Sequence, residues 1–199
     1  MEPTLTPTSY AILGLLAVRP WTTYELAKQV QRSLGWFWPR AERKLYDEPK
    51  RLVAAGLATA TDQRTGRRPK TVYAITPAGR RALRRWLGEE PAPPAIEAEA
   101  LIKVFFADAG TLDQLRATLA AIEATAAGRT AELREMIDAS IEGPYEFESR
   151  WPTNALALRF ALDMEDAMAE WARWATAQTA GWHSTTDAAG WDWRASLAP

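Results

Sequence analysis

The sequence predicts a mainly α protein in two parts: three helices, a two-stranded hairpin and a fourth helix, followed by an all-helical second half. Three observations predict this. Residues 88–95 read Gly-Glu-Glu-Pro-Ala-Pro-Pro-Ala, and three prolines in four residues forbid a regular helix there. The charge changes sign across that break: residues 1–88 hold 16 Lys+Arg against 6 Asp+Glu, whereas residues 89–199 hold 8 against 19. Beyond the break, apolar residues recur at helical spacing over two long stretches. The expected division is therefore 1–88 and 89–199.

In the first part, Ser9–Val18 is apolar enough for a short buried helix, which Pro20 stops. Thr22-Thr23-Tyr24-Glu25 then reads as a capping box that opens a second helix. That helix carries Leu26 and Val30 on one face and should end near Gly35. A third helix is expected from about Ala41 to Ala55, with Pro49 kinking it and Gly56 ending it. Leu57–Thr61 and Thr71–Ile75 are rich in Thr, Val, Tyr and Ile and read as strands joined by a loop over 62–70, in which Gly66 allows the turn. Thr76-Pro77 supplies an N-cap and a first-turn proline for a fourth helix to about Leu87. Leu83 and Leu87 should face inward there, and Arg80, Arg81, Arg84 and Arg85 outward.

In the second part, Ile96–Phe106 suits one helix. From Leu112 to Ser140 the residues Leu112, Leu115, Leu119, Ile122, Ala126, Leu133 and Met136 follow coiled-coil-like steps of three and four, interrupted by Arg129. Gly143-Pro144 breaks the pattern. A last long helix over Thr153–Gln178 places Leu156, Phe160, Met164, Ala167, Trp171 and Trp174 on one stripe. The two apolar faces should pack on each other and on a second copy of the chain. No element is assigned after Gly181.

Composition narrows the function. A hydrophobic fraction of 47% is globular rather than disordered. No apolar run approaches the ~20 residues needed to cross a bilayer, and the N-terminus lacks the pattern of a signal peptide. With no cysteine there are no disulfides, thiolate metal sites or cysteine nucleophiles, which fits a cytoplasmic protein. A basic half favours a polyanion as partner, and an acidic half avoids one.

Three helices, a hairpin and a further helix are the parts of a winged helix-turn-helix, in which the third helix enters the DNA major groove and the hairpin tip reaches the backbone or minor groove. The basic residues fall where that arrangement needs them. Arg40, Arg43, Lys44 and Lys50 belong to the third helix or its start, and Arg64, Arg67, Arg68 and Lys70 to the hairpin loop. Their charges neutralise phosphates, and arginine also reads guanine through two parallel hydrogen bonds. Tyr46 suits a phosphate or sugar contact. The expected DNA-contact set is Arg40, Arg43, Lys44, Tyr46, Lys50, Arg67, Arg68 and Lys70. Taken singly, each is equally a solvated surface residue, and Tyr46 a core one.

The same residues resemble a known family. Thr23-Tyr24-Glu25-Leu26 is similar to the second-helix start of PadR-like transcriptional regulators. Trp36-Phe37-Trp38-Pro39, the Lys44–Leu52 stretch and Gly56-Leu57 resemble that family's recognition helix, and Gly66–Gly79 its wing and following helix. The resemblance covers about residues 8–88. The second half looks like the longer helical C-terminal domain of one subgroup, chiefly at Leu101–Ala107, and that domain mediates dimerisation. The resemblance implies a homodimeric repressor released from DNA by small phenolic or lipophilic ligands; a two-fold dimer should in turn read a palindromic double-stranded operator.

An enzyme is the competing class. The lone His183 sits in the unassigned tail, and Glu97/Glu99 and Glu165/Asp166 read as solvated helix charge. No cofactor or metal motif is present, so none is expected. A winged-helix protein-interaction module that leaves DNA alone is a further alternative. Six of the ten tryptophans lie in the second half. Trp151, Trp171 and Trp174 are candidate walls for a planar ligand, with plain packing as the alternative.

Overall fold

A computed structural model describes residues 5–38, 46–65, 68–143 and 147–197, and of residues 64–69 the backbone alone where it is described. The chain forms two compact units, residues 1–93 and 94–199.

In the first unit, α1 (Pro7–Val18) starts two residues before the expected point because Thr6 and Ser9 form a capping box. It buries Ile12, Leu13, Leu15 and Leu16. After β1 (Trp21–Thr22), α2 (Thr23–Arg32) opens on the expected Thr22/Glu25 box and buries Leu26 and Val30. A single 3₁₀ turn follows at Leu34–Trp36.

Of the third helix expected over 41–55, residues 41–45 lie outside the described residues; Tyr46 and Asp47 form a turn within it, and α3 runs from Glu48 to Ala54. Pro49 therefore lies in a first turn, where its missing N–H needs no partner, and it kinks nothing. Gly56 ends the helix as expected: its φ of 70° is left-handed, Gly56 N–H bonds Val53 O at 2.9 Å, and Leu57 N–H bonds Leu52 O at 2.9 Å.

The hairpin is longer than the sequence suggests. β2 (Ala58–Thr65) and β3 (Arg68–Ile75) pair antiparallel from Ala58↔Ile75 to Thr65↔Arg68. The stretch expected as a loop is mostly ladder, and Lys70 stands opposite Gln63. β1 adds to β3 through Trp21↔Tyr73, so the sheet has three strands in the order β1-β3-β2. Trp21 and Tyr73 are buried there, and Trp21 Nε1 donates to Leu15 O at 2.7 Å.

Helix α4 (Pro77–Trp86) is capped by Thr76 and lies along α1, where Trp86 stacks on Tyr10 with ring centroids 4.7 Å apart. Its buried residues are Gly79 and Ala82. Leu87, expected inward, is the C-cap and is exposed, because the close approach of α4 needs small residues and leaves the helix end uncovered.

In the second unit, α5 (Glu99–Phe105) is shorter than expected. Helices α6 (Leu112–Glu142) and α7 (Trp151–Gln178) form a long hairpin. Arg129 pairs with Glu165 and Glu123 with Arg173, while Arg116 donates to Thr179 O, so the two run antiparallel. The α6 seam is the expected one, with Leu115, Leu119, Ile122, Ala126 and Leu133 buried; the gap is filled by Thr130, and Arg129 beside it bridges to α7.

The face of α7 that meets this seam is a different one from that expected. Ala161, Ala169 and Ala172 are buried, whereas Leu156, Phe160 and Trp174 are exposed. Alanine opposite leucine lets the two backbones approach, and the charges that pair with α6 sit on the same side. The tail folds back: Trp191 lies 6.5 Å from Trp174 and 5.3 Å from Trp182, and its Nε1 donates to Gln178 Oε1 at 2.9 Å. A short helix α8 (Trp193–Ser196) closes it.

Candidate nucleic-acid interface

Helices α1, α2 and α3 with the β2–β3 hairpin form a winged helix-turn-helix, and the chemistry of the candidate interface is that of exposed cations on this frame. Lys50 is exposed on α3, and its pairing with Asp47 at 3.9 Å joins two exposed groups, which water and salt weaken readily. Tyr46, in the turn before α3, is exposed. That excludes a core role and leaves its hydroxyl available. Lys70 is exposed on β3, and Arg68 is the first residue of that strand. Arg40, Arg43, Lys44 and Arg67 lie outside the described residues, as does the side chain of Arg64. On the described hairpin, Thr71 Oγ1 donates to Asp62 Oδ1 at 2.8 Å and links β3 to β2.

The helix that precedes the reading element is held firmly. Glu25 Oε2 accepts from both the N–H and the hydroxyl of Thr22 at 2.7 Å. The Thr22 N–H, then its hydroxyl, hold the Glu25 carboxyl below its ordinary pKa; burial opposes them, and Arg19 adds a lesser pull in the same direction as Thr22. The folded value is depressed, so the resulting stabilisation is complete above the ordinary carboxylate pKa and is lost as pH falls through the lower folded value. Glu25→Gln is accordingly expected to lower the melting temperature at pH 7 and to make little difference at a pH below the depressed folded value, where the parent carboxylate is protonated as well. Equal losses at both pH values would remove the charge from this account.

Two buried groups were not singled out by the sequence. Glu48 is 2% exposed and accepts from Ser9 Oγ, which is fully buried. Thirty-nine residues separate the two, and no local pattern links them.

The candidate ligand residues are spread out. Trp151 opens α7, and Trp171 and Trp174 lie twenty and more residues along it, about 30 Å away at helical rise. Trp171 is half-buried, and Trp174 joins the Trp182–Trp191 cluster. Among the described residues no group of three or more His, Cys, Asp or Glu is placed to hold a metal ion, and no helix is long and apolar enough to cross a membrane.

The first unit is thus a winged-helix frame with exposed cations at Lys50 and Lys70, and comparison with known proteins shows what it is similar to. Residues 12–85 match the transcriptional regulator PadR-like family, and residues 97–179 match the virulence activator alpha C-terminal family. The chain is 31% identical over 99 residues to the negative transcriptional regulator PadR of Bacillus subtilis, across 49% of this chain and 54% of that protein. It therefore spans about half the length of that relative. In structure it resembles Bacillus subtilis PadR in complex with operator DNA, with a TM-score of 0.70 and 25% identity over 85% of this chain and 96% of that one. It also resembles the Vibrio cholerae virulence activator AphA, with a TM-score of 0.66 and 26% identity over 85% and 96% of the two chains.

Proposed function

We propose that the protein is a homodimeric, sequence-specific transcriptional regulator that reads a palindromic operator through α3, the residues just before it and the wing. The observation that carries this reading is the net positive charge of residues 1–88, 16 Lys+Arg against 6 Asp+Glu, on a winged frame like that of an operator-bound relative. The contact set is Arg40, Arg43, Lys44, Tyr46, Lys50, Arg67, Arg68 and Lys70.

The experiment is selection of bound duplexes from a random pool, followed by titration at several salt concentrations. An enriched palindrome with half-sites ~34 Å apart, or a multiple of that, is expected. Arg67→Ala/Arg68→Ala should weaken binding to all sequences and flatten the salt dependence by about one unit of slope per lost phosphate contact. No enrichment, with no salt-dependent binding, would favour a protein-interaction module instead.

Repression is favoured by the relative named as a negative regulator. A reporter promoter overlapping the enriched operator tests it, and induction in place of silencing would reverse the sign. Release by a small aromatic or lipophilic ligand is the regulatory part of the reading. Bacillus subtilis PadR has been solved in complex with p-coumaric acid, and the second unit here is rich in tryptophan. Trp171 and Trp174 are the walls to test, with Trp151 as a separate position. A ligand that regulates must quench tryptophan fluorescence saturably and lower operator affinity together. Quenching without loss of affinity would mean binding without regulation.

A further inference from the structure

We infer that Thr8, Ser9 and Glu48 are positioning residues for DNA reading, which tie both flanks of the reading segment to the first turn of α1. The inference rests on the DNA-binding function proposed above.

On the C-terminal flank, Ser9 Oγ donates to Glu48 Oε1 at 2.5 Å and Arg51 Nη1 donates to Oε2 at 2.9 Å. On the N-terminal flank, Trp38 Nε1 donates to Thr8 Oγ1 at 3.2 Å. Two consecutive residues of α1 thus hold Trp38 and Glu48. Between them in sequence lie Arg40, Arg43, Lys44 and Tyr46. Residues 39–45 are outside the described set, but both ties are made by described side chains.

Stability alone does not account for a carboxylate here. A buried carboxylate is costly to desolvate, and an apolar side chain of similar size in its place often leaves a protein as stable or more so. What the carboxylate adds is direction. Ser9 has one hydroxyl proton, which goes to Glu48. In the 3.1 Å contact between the Thr6 and Ser9 hydroxyls, Thr6 is therefore the donor. Ser9 Oγ also accepts the Thr6 N–H at 2.9 Å. The cap of α1 and the anchor of α3 share one oxygen atom, and the relay Thr6 to Ser9 to Glu48 has a single sense. Tyr46 and Lys50 lie two residues either side of Glu48, and both are exposed. Turning α3 by one residue moves its side chains through about 100°. The Glu48 anchor sets that phase.

The test uses the full chain and two duplexes: the one enriched from the random pool, and a scrambled duplex of the same length and composition. Ser9→Ala and Thr8→Val each remove one hydroxyl and leave every surface cation in place. Each is expected to lower affinity for the enriched duplex by about tenfold to a hundredfold, the cost of one mismatched base pair. Affinity for the scrambled duplex and the salt slope should stay at parent values, because no phosphate contact is lost. Ser9→Thr keeps the hydroxyl and should restore most of the discrimination. A purely structural role moves the melting temperature and leaves the ratio of the two affinities alone. An unchanged ratio in folded Ser9→Ala and Thr8→Val overturns the inference, as does equal loss on both duplexes. If Ser9→Ala does not fold, Thr8→Val decides by the same ratio. A parent that binds neither duplex would overturn the DNA-binding reading itself, whereas a parent that discriminates alongside variants that discriminate equally would overturn only the positioning role.

Discussion

Gly79→Ala is expected to destabilise the first unit by about 3 kcal/mol or more, at the upper end of what overpacking one methyl group costs. A Cβ at Gly79 would stand 2.1 Å from Leu57 O and 2.9 Å from Ile75 Cγ1. The carbonyl cannot step aside, because it accepts the Thr76 N–H at 3.0 Å. Thr76 in turn donates its hydroxyl to Gly56 O at 2.8 Å and caps α4 at the Gly79 N–H, 3.1 Å away. Relieving the clash breaks the bond that joins α4 to the hairpin, or the cap, or both. For a unit of this size each kcal/mol moves the melting temperature by roughly 4–8 °C, so a fall of at least about 12 °C should be seen by circular dichroism. Gly14→Ala is the control. It lies within α1 with nothing within 4 Å of the added methyl, so it should gain roughly 0.5–1 kcal/mol from helix propensity. If Gly79→Ala melted with the parent, the tight seat of α4 on Leu57 would be wrong.

Features whose cause is local could be read from the sequence. The Thr22/Glu25 box, the Thr76 cap with Pro77 and the Gly56 stop all depend on residues within a few positions of each other, so residue type and spacing suffice. The same logic missed the start of α1, because Ser9 occupies the place in the box where glutamate or glutamine is the recognised sign. Pro49 was ambiguous in principle. A proline within a helical pattern either kinks one helix or opens another, and only the turn at Tyr46–Asp47 decides between them. Helix α7 has two apolar faces, one of alanines and one of large side chains. Periodicity marks both, and the choice between them was made by backbone approach and by the charges of Arg129 and Glu123 across the gap. Contacts of long range, such as Ser9 with Glu48 and Trp191 with Gln178, leave no pattern in the chain and emerged only with the fold. Of the candidate DNA-contact residues, Tyr46, Lys50 and Lys70 are exposed on described elements, which is the condition they must meet.

Phe105→Asp is expected to convert the proposed dimer into a monomer and to lower operator affinity by at least about a hundredfold. Helix α5 has seven residues, several of them large and apolar, yet none is buried within the chain. Phe105 is 80% exposed, and Ile96, Ile102 and Phe106 are exposed beside it. On α7, Leu156 and Phe160 are exposed as well. A helix this short is not stable in water by itself, so it needs a covering surface. These six side chains expose area of the order of the ~800 Å² that each partner contributes to a standard interface. A second copy would supply that area in a form that suits a palindrome, since a two-fold axis pairs each patch with its own copy and presents two reading heads. The symmetry also doubles the effect of each substitution. Burying one phenylalanine is worth about 1.5–3 kcal/mol, so Phe105→Asp removes roughly 3–6 kcal/mol from the dimer, or about 10²–10⁴ in its dissociation constant. Sedimentation at micromolar concentration should show the change directly. Binding to the scrambled duplex should fall far less than binding to the palindrome, because each monomer keeps its own cations. Leu156→Asp on α7 tests the second patch in the same way. A Phe105→Asp protein that still sediments as a dimer would move the interface away from α5, and a parent that sediments as a monomer would remove the dimer altogether.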